Sequence, residues 1–242
     1  MRSKNIAIFI DSFGGGGAEK VMLTLAYGLQ DQGHYVHFFI LEPRIEYQPQ
    51  SIPFDILYQD IPHRMSTTRG NLNRTARDMQ TLVDKVESQV GTFDLHIANL
   101  DPTCQVISRC ELNNVYYVLH NAMAQEIKRE AKLGPFKLMR KVVEKRVYHN
   151  KNVIAVSEGV ANEAKNNWLF KPSKVVTIYN PTDVEQVQKM SHAAQPNLPD
   201  EPYLVHAGRV VKQKRHDVLF KALQRVPKMK LVLLCSKTRK AN

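Results

Sequence analysis

Two basic residues stand where a predicted strand passes through a glycine into a predicted helix. The run AGRVVKQKRHDVL (207–219) follows a strand predicted at 203–206 and begins a helix predicted at 214–226. A helix N-terminus presents unpaired N–H groups and a positive dipole end, so it attracts anions. Arg209 can grip two phosphate oxygens with its planar fork, and Lys214 adds a mobile point charge. The pattern favours a phosphate site, although a solvated basic helix start would have the same composition.

A glycine run near the N-terminus is the second candidate ligand loop, and it joins a predicted strand to a predicted helix. Glu19 occupies the place of the third glycine in a G-x-G-x-x-G fingerprint, and no G-K-[ST] follows, which argues against a dinucleotide fingerprint and against a P-loop. Repeated glycine lets the backbone approach a ligand closely. The alternative is a tight turn with no ligand. The run consists of Gly14, Gly15, Gly16 and Gly17.

One histidine follows a strand directly. His120 comes after the strand predicted at 115–119, at a carboxyl end, where open α/β sheets bind their ligands. Imidazole can exchange a proton near neutral pH. A lone histidine is more often structural, so the spacing alone leaves both roles open.

The elements that would position these residues alternate along the chain. Apolar runs without polar alternation, such as NIAIFI, are typical of strands buried on both faces of a parallel sheet. Alternating strands and helices predict a doubly wound α/β domain. Strands are predicted at 5–13, 35–41, 54–61, 93–98, 115–119, 152–156 and 175–179, and helices at 18–32, 73–90, 102–112, 135–149 and 157–167.

A change of composition predicts a domain boundary. Residues 185–202 hold three prolines among polar residues and are interpreted as a linker. A second α/β unit then begins at residue 203, with its last predicted strand at 230–234. The predicted organisation is an N-terminal domain at 1–184, the linker at 185–202 and an incomplete second domain at 203–242.

Several of these motifs resemble landmarks of the GT-B glycosyltransferases of family 4, over nearly the whole chain. GRVVKQKRHDVL is similar to the family's phosphate-gripping motif, and GGGGAEKVMLTLA is similar to its first-domain loop. VSEGV and YNP also resemble family landmarks, but for direct chemistry an ordinary helix cap and an ordinary turn are the favoured interpretations. The resemblance implies an α/β fold of GT-B type, with a complete N-terminal Rossmann-like domain on the acceptor side and the first part of a second, nucleotide-sugar-binding Rossmann-like domain.

The resemblance also implies roles for residues. Arg209 and Lys214 would bind the donor diphosphate, His120 would contact the donor sugar as the catalytic-site residue, and the glycine loop with Glu19 would face sugar and acceptor. The implied reaction transfers a hexosyl unit, with retention, from a nucleotide diphosphate sugar to a saccharide or lipid-linked acceptor. Many relatives make lipopolysaccharide, capsule or other surface glycans. Neither a cofactor nor a metal is expected.

Composition limits the partners and the compartment. The net charge of +11 favours an anionic partner: a phosphorylated ligand, an acidic membrane surface or a nucleic acid. No nucleic-acid motif is present, so no nucleic-acid partner is expected. The three cysteines have no C-x-x-C or metal-like spacing and indicate reduced thiols. Neither a signal peptide nor a membrane-spanning run is expected, which predicts a cytoplasmic protein.

Two basic stretches suggest where an anionic surface would bind. The first contains Arg64, Arg69, Arg74 and Arg77. The second mixes cations with apolar residues, which suits attachment to the inner face of the plasma membrane or a lipid-linked acceptor; a solvated helix face is the alternative. Its members are Lys128, Arg129, Lys132, Leu133, Phe136, Lys137, Leu138, Met139, Arg140, Lys141, Lys145 and Arg146.

One departure from the family pattern is large. The family's second domain usually continues through two glutamates separated by seven residues, and no such pair follows Leu234; residues 235–242 are basic and unrelated. We therefore expect a reading frame interrupted near Cys235 and little or no transferase activity from this chain alone. The alternatives are an inactive remnant that binds a membrane or a partner through its basic face, and a basic nucleic-acid-binding protein.

Overall fold

The computed structural model describes residues 2–59, 71–167, 169–193, 198–211 and 214–235. The chain divides into two compact units, residues 1–183 and residues 184–242. Each unit has a parallel sheet of its own, with seven strands in the first and two in the second.

The first unit alternates strands and helices, as the sequence predicts. Its helices are α1 (Gly17–Asp31), α2 (Leu72–Val90), α3 (Asp101–Ile107), α4 (Met123–Ala131), α5 (Pro135–Lys145) and α6 (Glu158–Asn166), with a 3₁₀ turn at Arg146–Tyr148 after α5. Its strands are β1 (Asn5–Ile10), β2 (Tyr35–Ile40), β3 (Phe54–Ile56), β4 (Leu95–Asn99), β5 (Val115–Leu119), β6 (Asn152–Ala155) and β7 (Lys174–Thr177).

The strand order is β3-β2-β1-β4-β5-β6-β7, and every pairing is parallel. The chain winds outward from β1 through β2 to β3, then returns to β4 on the other side of β1. This reversal is a topological switch point, where loops diverge and leave a crevice at the carboxyl ends of the strands. The predicted doubly wound α/β fold is confirmed, and the switch point lies between β1 and β4.

The central strand is buried on both of its faces, because helices cover both sides of the sheet. Ile6, Ile8 and Ile10 belong to a core that includes the buried side chains of α1. Ala7 and Phe9 point the other way, into a core shared with α2 and α3. A two-residue period therefore fills two apolar layers, which explains the unbroken apolar run in the sequence.

Several predicted elements differ from the structure, and one helix of the first unit was not predicted. Among the described residues of the strand predicted at 54–61, Phe54–Ile56 are paired, and the helix predicted at 102–112 ends at Ile107. The helix predicted at 135–149 ends at Lys145 and tightens into the 3₁₀ turn. Helix α4 was not predicted from the sequence. Only Met123 of its nine residues is buried, so the helix has little of the apolar periodicity on which such a prediction depends.

The second unit contains α7 (Val184–Ser191), β8 (Tyr203–Ala207), α8 (His216–Leu223) and β9 (Lys230–Leu234), with β8 and β9 parallel. The first part of the predicted linker at 185–202 is helical, since it lies within α7. The helix predicted from Lys214 begins two residues later, at His216. The proposed domain limits themselves stay a prediction.

Candidate functional site

Polar residues gather at the carboxyl ends of three neighbouring strands of the first unit. Asp11 directly follows β1, Asn99 is the last residue of β4, and His120 directly follows β5. These strands are adjacent in the sheet, so the three residues share the edge at which the switch point lies.

The glycine loop begins at this edge. Gly15 has φ of +77°, a conformation in which L side chains are strained. Gly16 is the N-cap residue of α1 and has no side chain with which to cap the helix. A Cβ at this position would lie 2.3 Å from Glu19 Oε2. The Glu19 carboxylate therefore lies over the start of α1, where the helix dipole favours an anion. Gly15 is thus needed for the backbone path, whereas a side chain at Gly16 would displace the flexible end of Glu19.

A matched pair of substitutions tests the loop. Gly15→Ala should lower the free energy of unfolding by about 1–2 kcal/mol, because it forces a side chain into positive φ. The added Cβ would also lie 2.2 Å from Glu46 Oε2, so the Glu46 side chain must move. Gly17→Ala is the control, because a Cβ at this position meets nothing within 4 Å. We expect the free energy of unfolding to stay the same or to rise by up to about 1 kcal/mol. Urea unfolding followed by circular dichroism measures both, and equal effects would contradict the argument.

His120 is fixed by the buried amide of Asn99. Asn99 Nδ2 donates to the backbone oxygens of Phe9 (3.3 Å) and Ile97 (3.4 Å), which leaves Oδ1 to accept from His120 Nε2 at 3.0 Å. Nε2 therefore carries the proton, and Nδ1 is the acceptor nitrogen of the neutral ring. Burial lowers the pKa of His120 to about 4. At neutral pH the ring can accept a hydrogen bond from a ligand hydroxyl, but it carries no charge.

This tautomer leads to a prediction for NMR. Imidazole ¹⁵N shifts should show His120 neutral and protonated at Nε2 from about pH 8 to pH 5, with titration near 4. Asn99→Asp should raise the His120 pKa by at least about one unit, because a carboxylate 3.0 Å from Nε2 favours the imidazolium. A His120 signal that titrates near 6.5 in the parent chain would contradict this geometry.

Asp11 is a partly buried carboxylic acid that sequence reasoning missed. Its Oδ1 accepts from the backbone N–H of Thr103 at 3.1 Å and, over a shorter distance, from the Thr103 hydroxyl. Burial raises the pKa of Asp11 to about 7, aided by the charges of Glu42 and Asp101 and opposed by the two Thr103 hydrogen bonds. Perturbed acids at a sheet's ligand edge are candidates for proton exchange with substrate. The signal available in the sequence was an acid placed immediately after a strand buried on both faces.

A buried ion-pair network lies beside this edge. Asp101 accepts from Lys145 Nζ (2.9 Å), Lys141 Nζ (2.7 Å) and the Tyr148 hydroxyl (2.7 Å). Glu126 of α4 lies 2.8 Å from Lys145 Nζ and 3.4 Å from Lys141 Nζ. Burial alone would raise the pKa of Asp101, but the two lysines overcome it and lower the pKa to about 2. The network attaches α4 and α5 to the start of α3.

The residue between Asn99 and Asp101 has a strained backbone. Leu100 has φ of +66° and ψ of +147°, a region that is essentially restricted to glycine. The strain costs on the order of 1–3 kcal/mol and is tolerated only where surrounding contacts impose it. The residues on either side of Leu100 make such contacts. Asn99 binds His120, and Asp101 binds Lys141 and Lys145.

Of the basic stretch, Lys145 is therefore buried and Lys141 is partly buried. Lys145 is 3% exposed, and the ammonium of Lys141 is shared among three carboxylates. These two lysines therefore contribute little to an exposed basic surface in this stretch. In the other basic stretch Arg74 lies within 4.0 Å of Asp78, whereas Arg64 and Arg69 lie outside the described residues.

The second unit holds the predicted phosphate site. Arg209 follows β8 and is exposed, and Lys214 is exposed just before α8. The stem of Lys214 packs on Gly208, where a Cβ would lie 3.3 Å from Lys214 Cγ. Arg215, in the left-handed conformation, makes two 3.1 Å bonds to Asp217. Among the described residues of this turn, Arg209 and Lys214 are therefore the cations left for a ligand. Lys212 and Gln213 lie outside the described residues.

Two histidines of this unit were not singled out in the sequence. The rings of His206 and His216 meet edge to face, with centroids 4.7 Å apart. Nε2 of each is buried and lacks a hydrogen-bond partner within the described part of the chain. Across the same described ranges no group of three or more potential metal ligands occurs, and no helix is long and apolar enough to cross a membrane.

Comparison with protein families matches residues 15–186, more than half of the chain, to Glycosyltransferase Family 4. The chain belongs to glycosyltransferase family 4. The family resemblance stated from the sequence is thereby confirmed; the motif GRVVKQKRHDVL at 208–219 lies outside the matched residues. No curated protein sequence matches this family 4 chain.

Solved glycosyltransferase structures share the fold of this family 4 chain. A glycosyltransferase from Rickettsia africae ESF-5 is 14% identical with a TM-score of 0.55, over 97% of this chain and 60% of that one. The catalytic domain of starch synthase IV from Arabidopsis thaliana is 12% identical (TM-score 0.56; 97% and 69%). WaaG, a glycosyltransferase involved in lipopolysaccharide biosynthesis, is 11% identical (TM-score 0.58; 95% and 62%). The likeness shows the GT-B fold, and the chain spans about three fifths of the first of these relatives.

The site roles within this family 4 chain stay predictions. The structure places His120 and the glycine loop at one edge of the first sheet, and Arg209 and Lys214 at one turn of the second unit. It adds Asn99, which orients His120, and Asp11, which no motif indicated.

Proposed function

We propose that this chain is the acceptor-side part, with the beginning of the donor-binding part, of a retaining glycosyltransferase. The reaction transfers a hexosyl unit from a nucleotide diphosphate sugar to a saccharide or lipid-linked acceptor. Surface glycan of lipopolysaccharide or capsule type is the proposed product, made on the cytoplasmic side.

The observation that carries the proposal is the neutral, oriented His120 on the same sheet edge as a glycine loop, in a family 4 fold. Asn99 holds the ring so that Nδ1 is its acceptor nitrogen. Sugar hydroxyls are donors for such an acceptor, and a neutral ring does not repel the positive charge that develops on the sugar as the bond to the diphosphate breaks.

The donor assignment has separate support. Arg209 and Lys214 provide positive charge for the diphosphate, whose charge increases as it leaves. The starch synthase IV structure contains ADP and acarbose, a nucleotide diphosphate and a saccharide. The involvement of WaaG in lipopolysaccharide biosynthesis supports the surface-glycan assignment. All three cysteines are free, which supports a reducing compartment.

Nucleotide binding by the purified chain tests the proposal without requiring turnover. Calorimetric titration with UDP and ADP should detect binding, and Arg209→Ala should weaken it about tenfold or more, as expected when a charge-assisted contact is lost. Arg225→Ala is the control, because Arg225 is an exposed arginine of the same unit that lies past the end of α8. Equal weakening by both changes, or no binding up to millimolar nucleotide, would overturn the donor assignment.

The role of His120 and the stereochemistry need separate measurements. His120→Ala should reduce the affinity for UDP-glucose relative to UDP, because only the sugar meets the imidazole. If the chain turns over a sugar donor, ¹H NMR of the first product should show the anomer of the donor. An inverted product would refute the retaining assignment while leaving the nucleotide assignment intact.

A further inference from the structure

Helix α5 and the turn before it present an apolar stripe to solvent. Phe136, Met139 and Val143 recur at helical spacing, and Leu133 precedes them in the turn. Their exposed fractions are 82% for Phe136, 62% for Met139, 42% for Val143 and 55% for Leu133. Single exposed apolar residues are common, but a continuous stripe of four marks a surface that meets an apolar medium.

The helix is turned with its charges inward. At about 3.6 residues per turn, Lys141 and Lys145 project roughly opposite to Phe136 and Val143. Both lysines are held by Asp101 and Glu126 beneath the helix, so the stripe cannot rotate inward without breaking buried ion pairs. An amphipathic helix on a globular core has the reverse arrangement. The network thus fixes the apolar face outward.

Exposed cations surround the stripe. Lys128, Arg129 and Lys132 lie at the end of α4 and in the turn, and Lys137 and Arg140 lie on α5 beside Phe136. Arg129 and Arg140 have loose acidic partners at 3.4 and 3.5 Å. The three lysines have no ion-pair partner within the described ranges of the chain. The surface is therefore an apolar centre with a rim rich in unpaired lysine.

We propose that this surface, α5 with residues 128–134, docks onto the headgroups and outer acyl region of an anionic phospholipid leaflet, with Phe136 inserted most deeply. Basic residues around an apolar helix face match the chemistry of that interface. Lysine is depleted in protein–protein interfaces, so the rim favours lipid over a protein partner. The inference deepens the proposed function, on which it rests for its purpose: the surface is where a lipid-linked acceptor would be met.

Co-sedimentation of the full chain with vesicles tests the proposal. The chain should bind vesicles of phosphatidylcholine with about 30% phosphatidylglycerol, and bind pure phosphatidylcholine at least about tenfold more weakly. Phe136→Gln with Met139→Gln should reduce binding to the anionic vesicles about tenfold. Met190→Gln is the matched control, since Met190 is 65% exposed on α7, outside the surface, and should leave binding unchanged.

The dependence of binding on salt concentration distinguishes insertion of the apolar stripe from electrostatic adsorption of a cationic chain. Raising the salt from about 0.1 M to about 1 M screens the rim, so Lys132→Gln with Lys137→Gln should weaken binding only at low salt. Phe136→Trp should give a blue-shifted difference spectrum that brominated lipid quenches, because the new ring lies among acyl chains. The proposal would be overturned if the Phe136 and Met139 substitutions left vesicle binding unchanged. It would also be overturned if brominated lipid did not quench the new tryptophan.

The remaining outcomes also decide the question. If the chain binds no vesicles but associates with itself in a way that Phe136→Gln abolishes, the stripe is an interface between copies and the lipid proposal is wrong. The vesicle assays contain no sugar donor, so a failure here and a failure of nucleotide binding are distinguishable.

Discussion

Replacing Asp101 by asparagine is expected to lower the free energy of unfolding by about 3–5 kcal/mol, as when one partner of a buried ion pair is removed. Asp101 accepts from Lys141, Lys145 and Tyr148, and Lys145 is 3% exposed. Without the carboxylate, two ammonium groups inside the protein share the charges of Glu126 and Glu144 only. Urea unfolding followed by circular dichroism at neutral pH measures the loss.

Two further variants isolate the cause. Asp94→Asn removes the acid of an exposed pair, Lys4–Asp94 at 2.8 Å, and should cost much less because solvent screens that pair. Adding Lys145→Met to Asp101→Asn should restore part of the lost stability, since it removes the uncompensated buried charge. Strict additivity of the two changes would show that the network is not a unit.

The effect of Asp101→Asn depends on pH in a defined direction. The folded-state pKa of Asp101, about 2, lies below the unfolded value of 3.8, so its contribution is present above about pH 4 and is lost as pH falls toward 2. The difference in the free energy of unfolding between Asp101→Asn and the parent should therefore become smaller as the pH falls below 4.

The stability of Asp11→Asn relative to the parent is expected to depend on pH in the opposite direction to that of Asp101→Asn. The amide keeps an oxygen that can accept from Thr103 but never carries charge. Relative to the parent, the variant should gain stability as pH rises from about 4 to about 7, by on the order of 2–4 kcal/mol. Equilibrium unfolding of both chains at pH 4.5, 6 and 8 measures the gain.

The sign follows from the folded pKa of Asp11, about 7, lying above the unfolded value of 3.8. The folded state then binds more protons than the unfolded state between these values, so the parent loses stability as pH rises through the window. Burial lowers the pKa of His37, His96 and His120, which makes stability fall as pH drops below about 6.5. Because both chains contain these histidines, their effect cancels in the difference. A variant-to-parent difference that does not change with pH would contradict a shifted Asp11, and carboxyl ¹³C titration would show it directly.

Local patterns in the sequence were sufficient for the architecture. Runs such as Ile6 to Ile10 encode strands covered on both faces, and their alternation with helices encodes a parallel sheet. The same reasoning located the glycine loop and His120 at strand ends, because in a parallel sheet every strand ends at the same edge. Element boundaries were less certain, as at α3 and α8, because a helix end is set by caps and contacts rather than by periodicity.

The chemistry of individual side chains was decided by tertiary structure. Asn99 and His120 are 21 residues apart, and Asp101 lies 40 residues from Lys141, so no local pattern records either pairing. Lys141 and Lys145 have the composition of a solvated helix face, yet Lys145 is buried and Lys141 is partly buried because α5 packs over the start of α3. Asp11 is a common residue type at the end of a strand, and its pKa is set first by burial and then by hydrogen bonds and charges that the fold places around it. Sequence periodicity determined which elements form, whereas burial and charge, which depend on what lies across space, determined what their polar groups can do.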